Sequence, residues 1–119
     1  MVTIQKRATM SLNRSAYEAL DQPQAVELLF DPDEQIIGFR GVDPSVRHAY
    51  PIRKQPTSYS YLVAGKAFAE HFRIPVGETR RYEAEMIGDV LAIDLKQEAT
   101  KPVSRDGGKP HRAPNVAAA

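Results

Sequence analysis

The stretch SLNRSAYEALDQPQAVELLFD, residues 11–31, decides the fold, because it passes from a strand into a short helix and back into a strand. Asn13 suits the N-cap position, since its side-chain oxygen can accept a hydrogen bond from a backbone N–H that has no partner within the helix. Ala16, Tyr17 and Leu20 then recur at helical spacing, and Pro23 ends the helix. A helix of about two turns is unstable alone, so the pattern predicts that it lies on a sheet.

The flanking segments complete a first unit of strand, helix, strand and strand over residues 2–42. Apolar residues alternate with polar ones through residues 2–12, apart from the polar break Gln5-Lys6-Arg7, and this alternation predicts one strand. Residues 25–30 and 35–42 alternate in the same way. Asp31-Pro32-Asp33-Glu34 joins them, and its proline fixes φ at a value that suits a tight turn. These residues therefore predict a β-hairpin.

A second stretch, VAGKAFAEHFRIPVGETRRYEAE at residues 63–85, repeats this order and predicts a second unit over residues 59–96. Its helix is expected over residues 65–72, and its hairpin turns at Gly88-Asp89. Between the two units, residues 43–58 contain three prolines. That composition predicts a connector, with a short edge strand over residues 48–53 in which Pro51 turns its missing donor toward solvent.

The doubling has a physical reason, because a unit with one short helix and one hairpin cannot cover its own apolar face. We therefore predict an α+β fold in which residues 1–97 form a single globular domain. The domain is expected to be a small pseudo-two-fold β-barrel of two β-α-β-β units. Residues 98–119 contain almost no large apolar side chain, and their composition predicts a disordered tail.

Charge alone gives no sign of a nucleic-acid binder. The chain of 119 residues carries a formal charge of +1. Residues 1–97 hold twelve basic and thirteen acidic side chains, a balance of −1, whereas residues 98–119 hold four basic and two acidic ones. Any surface that binds nucleic acid must therefore arise from clustering of basic residues in the fold.

The residue types argue against an enzyme and against a metal site. The chain has no cysteine, which excludes disulfides and thiolate ligands, and its three histidines lack metal-ligand spacing. A nucleophile elbow, a phosphate-binding loop and a dinucleotide fingerprint are all missing from the sequence. We predict no catalytic residues, no metal and no cofactor. Without a signal peptide or a long apolar run, we expect a cytoplasmic protein of bacterial or phage type that does not bind membranes.

Two segments carry a resemblance to a known family, MSLNRSAYEALDQPQAVELLFDPDEQIIGFR at residues 10–40 and, more faintly, SYLVAGKAFAEHFRIPVGETRRYEAEMIGDVLAIDL at residues 60–95. Their order of elements resembles the AbrB-type swapped-hairpin transcription regulators and antitoxins. The resemblance implies that two units interleave their hairpins into one barrel, whose basic side lies on DNA. The family's proline before the helix is absent from both units, where Asn13 and Ala64 stand nearest that place. The glycine after the helix is absent from the first unit, where Pro23-Gln24 stands, and Gly77 serves in the second.

The basic residues that would contact DNA phosphates are Lys6, Arg7, Arg14, Arg53, Lys54, Lys66, Arg80 and Arg81. The same side chains also suit an ordinary solvated surface. Tyr50, Tyr59 and Tyr61 near Arg53 could stack on single-stranded bases, or could pack half-buried on the sheet. We expect a DNA-binding regulator or antitoxin-like protein, with duplex DNA as its partner. The alternative is an adaptor that binds another protein, or a second copy of itself as a homodimer, through its hairpins or the 41–58 segment.

Overall fold

A computed structural model of the chain describes residues 1–99. It contains eight strands that form a closed barrel and two helices of six residues each. The fold is therefore mostly sheet, with far less helix than the predicted α+β class suggests. In chain order the elements are β1 (Val2–Ile4), β2 (Thr9–Leu12), α1 (Arg14–Ala19), β3 (Ala25–Asp31), β4 (Ile36–Val42), β5 (Tyr50–Lys54), β6 (Tyr61–Ala64), α2 (Lys66–His71), β7 (Arg80–Ile87) and β8 (Val90–Glu98).

The strands follow the order β1-β2-β6-β5-β3-β4-β8-β7 around the barrel, and β7 pairs with β1 to close it. All neighbouring pairs are antiparallel. The β3–β4 hairpin lies between β5 and β8, and the β7–β8 hairpin lies between β1 and β4. Each of these hairpins thus pairs on both sides with strands from the other half of the chain.

The prediction of one strand over residues 2–12 is wrong, because the chain reverses there to form the β1–β2 hairpin. Gln5 N donates to Thr9 O at 2.8 Å, and Ala8 N donates to Gln5 O at 2.8 Å. Ala8 adopts a φ of 71°, a left-handed conformation that closes the turn. The physical reason is that Lys6 and Arg7 are fully solvated in a turn, whereas a continuous strand would force one of them toward the core.

The predicted connector also contains more structure than expected. A strand near residues 48–53 is confirmed as β5, but it is not an edge strand, because it pairs with β6 on one side and with β3 on the other. Its pairing with β3 is limited to two positions, one of which is Ala25 opposite the exposed Pro51. A proline is tolerated there because the ladder is so short.

The predicted tail, residues 98–119, falls outside the described residues from residue 100 onward. Glu98 and Ala99, which that prediction includes, are instead held on the barrel, since β8 ends at Glu98 and Ala99 N donates to Arg81 O at 2.8 Å.

The core fills the barrel with side chains from alternate strand positions. Both helices pack against this core, α1 through Ala16 and its C-cap Leu20, and α2 through Phe68 and Ala69. Asn13 caps α1 as predicted, because its Oδ1 accepts from Ala16 N at 2.9 Å. Each fully buried large side chain contributes about 1.5–3 kcal/mol from burial. These side chains are Phe39, Met10, Leu12, Ile37, Ile93, Val2, Val26 and Val63.

Candidate nucleic-acid interface

A first basic cluster forms where the β1–β2 turn meets α2. Lys6 and Arg7 lie in the turn, Lys66 begins the helix, and Arg73 follows the end of the helix by two residues. The β2–β6 pairing brings them together, because Thr9 at the start of β2 lies opposite Ala64 at the end of β6. The turn and the helix thus leave the same end of one ladder, although more than fifty residues separate them in the sequence.

Gly65 allows this close approach. A Cβ atom at this position would lie 2.8 Å from Ala8 O and 2.8 Å from Met10 Cε, which is closer than carbon atoms normally come to either atom. The backbone of the β1–β2 turn therefore packs directly on the start of α2. Any larger residue would separate the two elements that carry the first basic cluster.

A cleft of about 630 Å³ lies inside the first basic cluster. Its floor is apolar and consists of small or branched side chains, while the cations surround it. Glu70 is the acidic residue in the lining, and its carboxylate lies 4.0 Å from the Lys66 ammonium. An exposed ion pair at this separation contributes little to the stability of the fold. The apolar lining residues are Ala8, Ala69, Ile74 and Val76.

A second basic cluster forms where α1 meets the β5–β6 turn, and it contains an exposed aromatic ring. The Arg14 guanidinium carbon lies 5.0 Å from the centre of the Tyr59 ring, and Lys54 Nζ lies 5.2 Å from the same centre. Both distances suit cation–π attraction. Tyr59 is 62% exposed, so its ring remains accessible beside the two cations. Arg53, also exposed, is the next residue along β5 and lies opposite Leu62.

Of the three tyrosines in the predicted stacking group, the structure leaves only Tyr59 exposed. Tyr61 is half-buried and stacks on Tyr17, with 3.8 Å between the ring centroids and 9° between the planes. Tyr50 is half-buried and packs against the core. Within α1, Arg14 Nε donates to Glu18 at 3.0 Å, and this hydrogen bond raises the pKa of the guanidinium.

The two basic clusters lie at opposite ends of the β2–β6 ladder. Arg14 follows the end of β2 by two residues, and Lys66 follows the end of β6 by two residues. The ladder has four residue pairs, so about 10 Å of strand separates its ends. The residues of the ladder that face outward are Thr9, Ser11, Leu62 and Ala64. The outer surface of the ladder, as far as the structure describes the chain, therefore carries no charged side chain of its own.

Charge is segregated between opposite sides of the barrel. The β2–β6 side, with its two basic clusters, its helices and the two residues after each helix, holds seven cations and three carboxylates, a balance of +4: Lys6, Arg7, Arg14, Arg53, Lys54, Lys66 and Arg73 against Glu18, Asp21 and Glu70. The opposite side, formed by the β3–β4 hairpin and β8 with its preceding turn, holds two cations and seven carboxylates, a balance of −5: Arg40 and Lys96 against Glu27, Asp31, Asp33, Glu34, Asp89, Asp94 and Glu98. Such an arrangement creates a positive potential on one side of a molecule with little net charge.

Arg80 and Arg81 are not part of either basic cluster. Arg80 pairs with two carboxylates, at 3.2 Å to Glu78 and 2.9 Å to Glu98, which offset its positive charge locally. Arg81 is exposed on β7 opposite Thr3. Conversely, the site predicted from sequence omitted Arg73. The available signal was its closeness in sequence to Lys66, although Arg73 lies two residues beyond the end of α2 and no helical spacing relates the two.

No family model, curated protein or solved structure matches the chain. Within residues 1–99 no helix is long and apolar enough to cross a membrane. The same residues contain no group of three or more His, Cys, Asp or Glu side chains placed to hold a metal ion.

Proposed function

We propose that this chain is a DNA-binding regulator that contacts duplex phosphates with the β2–β6 side of its barrel. One observation carries the proposal: a domain whose body is slightly acidic collects seven of its cations on one side. The two basic clusters flank an uncharged ladder, so long cationic side chains can reach phosphates on either side of it. Phosphate contacts of this kind give affinity and position without reading the base sequence.

The barrel itself is proposed to be the two-unit swapped-hairpin type that the AbrB resemblance implies. Exchanging β1–β4 with β5–β8 leaves the order of strands around the barrel unchanged, which supports a pseudo-two-fold duplication. The unit then has the form β-β-α-β-β, with one more strand than the sequence pattern indicated. The pseudo-two-fold axis would pass through the β2–β6 ladder, so each basic cluster would be the counterpart of the other.

The DNA proposal is tested by titrating the full chain with a duplex of mixed sequence at about 50 and 200 mM salt. Each phosphate contact contributes about −0.9 to the slope of log K against log salt, so seven contacts would give a slope of about −6. This is the steepest slope expected, because fewer contacts give a shallower one. Arg14→Ala with Lys66→Ala removes two cations, one from each cluster, and should reduce the slope by about 2. Arg40→Ala with Lys96→Ala is the matched control, because it removes the same charge from the opposite side.

Equal weakening by the two double variants would contradict the proposal, since it would mean that total charge matters and the β2–β6 side does not. Absence of binding by the unmodified chain at 50 mM salt would also contradict it.

A protein-binding adaptor is the second candidate, and the tip of the β7–β8 hairpin favours it. Met86 is 37% exposed and Ile87 is 58% exposed, and they are the last two residues of β7, directly before the two-residue turn Gly88-Asp89. Apolar side chains at a protruding tip commonly contact a partner chain, which here includes a second copy of this one. Sedimentation of the unmodified chain and of the variant Ile87→Lys at several concentrations tests self-association. A dimeric unmodified chain with a monomeric variant supports this candidate. If both proteins are monomeric, the result argues against a homodimer.

A further inference from the structure

The first basic cluster offers more than phosphate contacts require. A DNA backbone needs only cations on an accessible surface, and the second basic cluster is of that kind. The first basic cluster instead surrounds a cleft of about 630 Å³, within the roughly 300–1,000 Å³ that small-molecule sites occupy. This difference in shape points to a second kind of ligand.

We propose that this cleft binds a nucleoside di- or triphosphate. Four cations and one carboxylate line it, a local balance of +3 that suits a compact group with several negative charges. Lys6 and Arg7 approach from the β1–β2 turn, while Lys66 and Arg73 approach from α2, so a chain of phosphates between the turn and the helix would meet cations on both sides. Each of the two arginines can donate two hydrogen bonds from its planar guanidinium to oxygens of the same phosphate group.

The apolar floor accounts for the nucleoside part of the ligand. Val76 and the edge of Ile74 offer accessible apolar surface on which a ring can lie, whereas Ala8 and Ala69 are almost fully buried and contribute little of it. Ile74 is buried and Val76 is 43% exposed, which makes the floor partly open to solvent until a ring covers it. Burial of apolar surface contributes about 25 cal/mol per Å², a gain that inorganic polyphosphate cannot make.

Glu70 gives the cleft a hydrogen-bond acceptor among its cations. A carboxylate repels phosphate but accepts hydrogen bonds from hydroxyl groups, which a nucleotide carries between its ring and its phosphates. We therefore expect Glu70 to favour a nucleotide over a bare polyphosphate. Because Glu70 is exposed and only loosely paired with Lys66, it can turn toward such a ligand.

The proposal is tested by calorimetric titration of the full chain with ATP, inorganic tripolyphosphate and adenosine, in buffer without divalent cations or DNA. ATP should bind at least ten times more tightly than tripolyphosphate, and adenosine should show no binding. Arg7→Ala with Arg73→Ala should weaken ATP binding at least tenfold, whereas Arg53→Ala with Lys54→Ala, the matched control in the second basic cluster, should change it less than twofold. Thermal unfolding of both variants shows whether the fold is kept.

Glu70→Gln supplies a readout that a general charge effect would not produce. This change removes one negative charge, so it should tighten tripolyphosphate binding while the preference for ATP becomes smaller. The proposal is overturned if tripolyphosphate binds as tightly as ATP, if neither binds, or if both double variants weaken ATP equally. The experiment contains no DNA, so its failure would leave the proposed regulatory function to its own salt titration.

Discussion

The contact between Gly65 and the β1–β2 turn allows a prediction whose size follows from the structure. In Gly65→Ala the new methyl group would lie 2.8 Å from Ala8 O and from Met10 Cε. The Met10 side chain is fully buried and Ala8 O belongs to the backbone, so neither atom can withdraw without moving the turn or the core. Overpacking of this kind costs about 1–3 kcal/mol.

A smaller gain partly offsets that cost. Gly65 has a φ of −98°, which alanine adopts without strain. Replacing glycine by alanine at such a position stabilises by about 0.4–1 kcal/mol, through the lower entropy of the unfolded chain. The central values leave a net loss of about 1.3 kcal/mol, equivalent to a fall in Tm of about 5–10 °C for a domain of this size. Urea unfolding at pH 7 measures the loss directly.

Gly38→Ala is the matched control for this reasoning. Its new methyl group would lie 2.7 Å from Val90 Cγ1, which belongs to a half-buried side chain and not to the backbone. Turning that side chain about 30° from its rotamer costs about 0.5–1.5 kcal/mol, and the same entropy gain offsets it, so the control should stay within about 1 kcal/mol of the unmodified protein. If Gly65→Ala is as stable as the control, the turn does not pack on α2 as described, and the first basic cluster loses its structural basis.

Three further outcomes follow from the core, the helix cap and a buried phenol. Phe39→Ala removes a fully buried ring and should cost about 3–5 kcal/mol in urea unfolding, whereas Tyr59→Ala at an exposed ring should cost less than about 0.5 kcal/mol. Asn13→Ala removes the cap of α1 and should lower the free energy of unfolding by about 1 kcal/mol. Ser15→Ala, at an exposed position two residues further along the chain, is the neutral control. Burial raises the pKa of Tyr82, so the neutral phenol contributes fully to folding stability below the unfolded pKa of about 10, and this contribution is lost as the pH rises through the folded pKa. Between pH 8 and 11, Tyr82→Phe should therefore lose less folding stability than the unmodified protein. Equal losses in the two proteins would contradict this assignment.

Local patterns in the sequence were enough to predict both helices and both central hairpins. Asn13 marks the start of α1, and period-two alternation with turn residues identified β3–β4 and β7–β8. The helix ends at Ala19, four residues before Pro23, where Asp21 and Gln22 adopt left-handed conformations. The β1–β2 hairpin escaped because its turn contains no Gly, Pro, Asn or Asp, so nothing in Gln5-Lys6-Arg7-Ala8 marked a reversal. Its left-handed residue is an alanine, which the surrounding ladders hold in place.

Pairing between distant strands is the part that the sequence does not display. The pattern of β5 predicted a strand, but only the structure shows that it joins β3 to β6. The same applies to charge, since Glu98 neutralises Arg80 from eighteen residues away and no local spacing relates the two. Candidate contacts drawn from single residues therefore include some, such as Arg80, whose charge is already compensated.

Each basic cluster combines residues from both halves of the chain, and this explains why the β2–β6 ladder matters for function. In the first cluster, the β1–β2 turn belongs to the first half of the chain and α2 belongs to the second half. In the second cluster, α1 belongs to the first half, while Lys54 and Tyr59 belong to the second half. Neither half alone contains a complete cluster. Because the β2–β6 ladder aligns the two halves, the positive side of the molecule exists only in the closed barrel, and a substitution that opens this ladder should weaken anion binding even where it touches no basic residue.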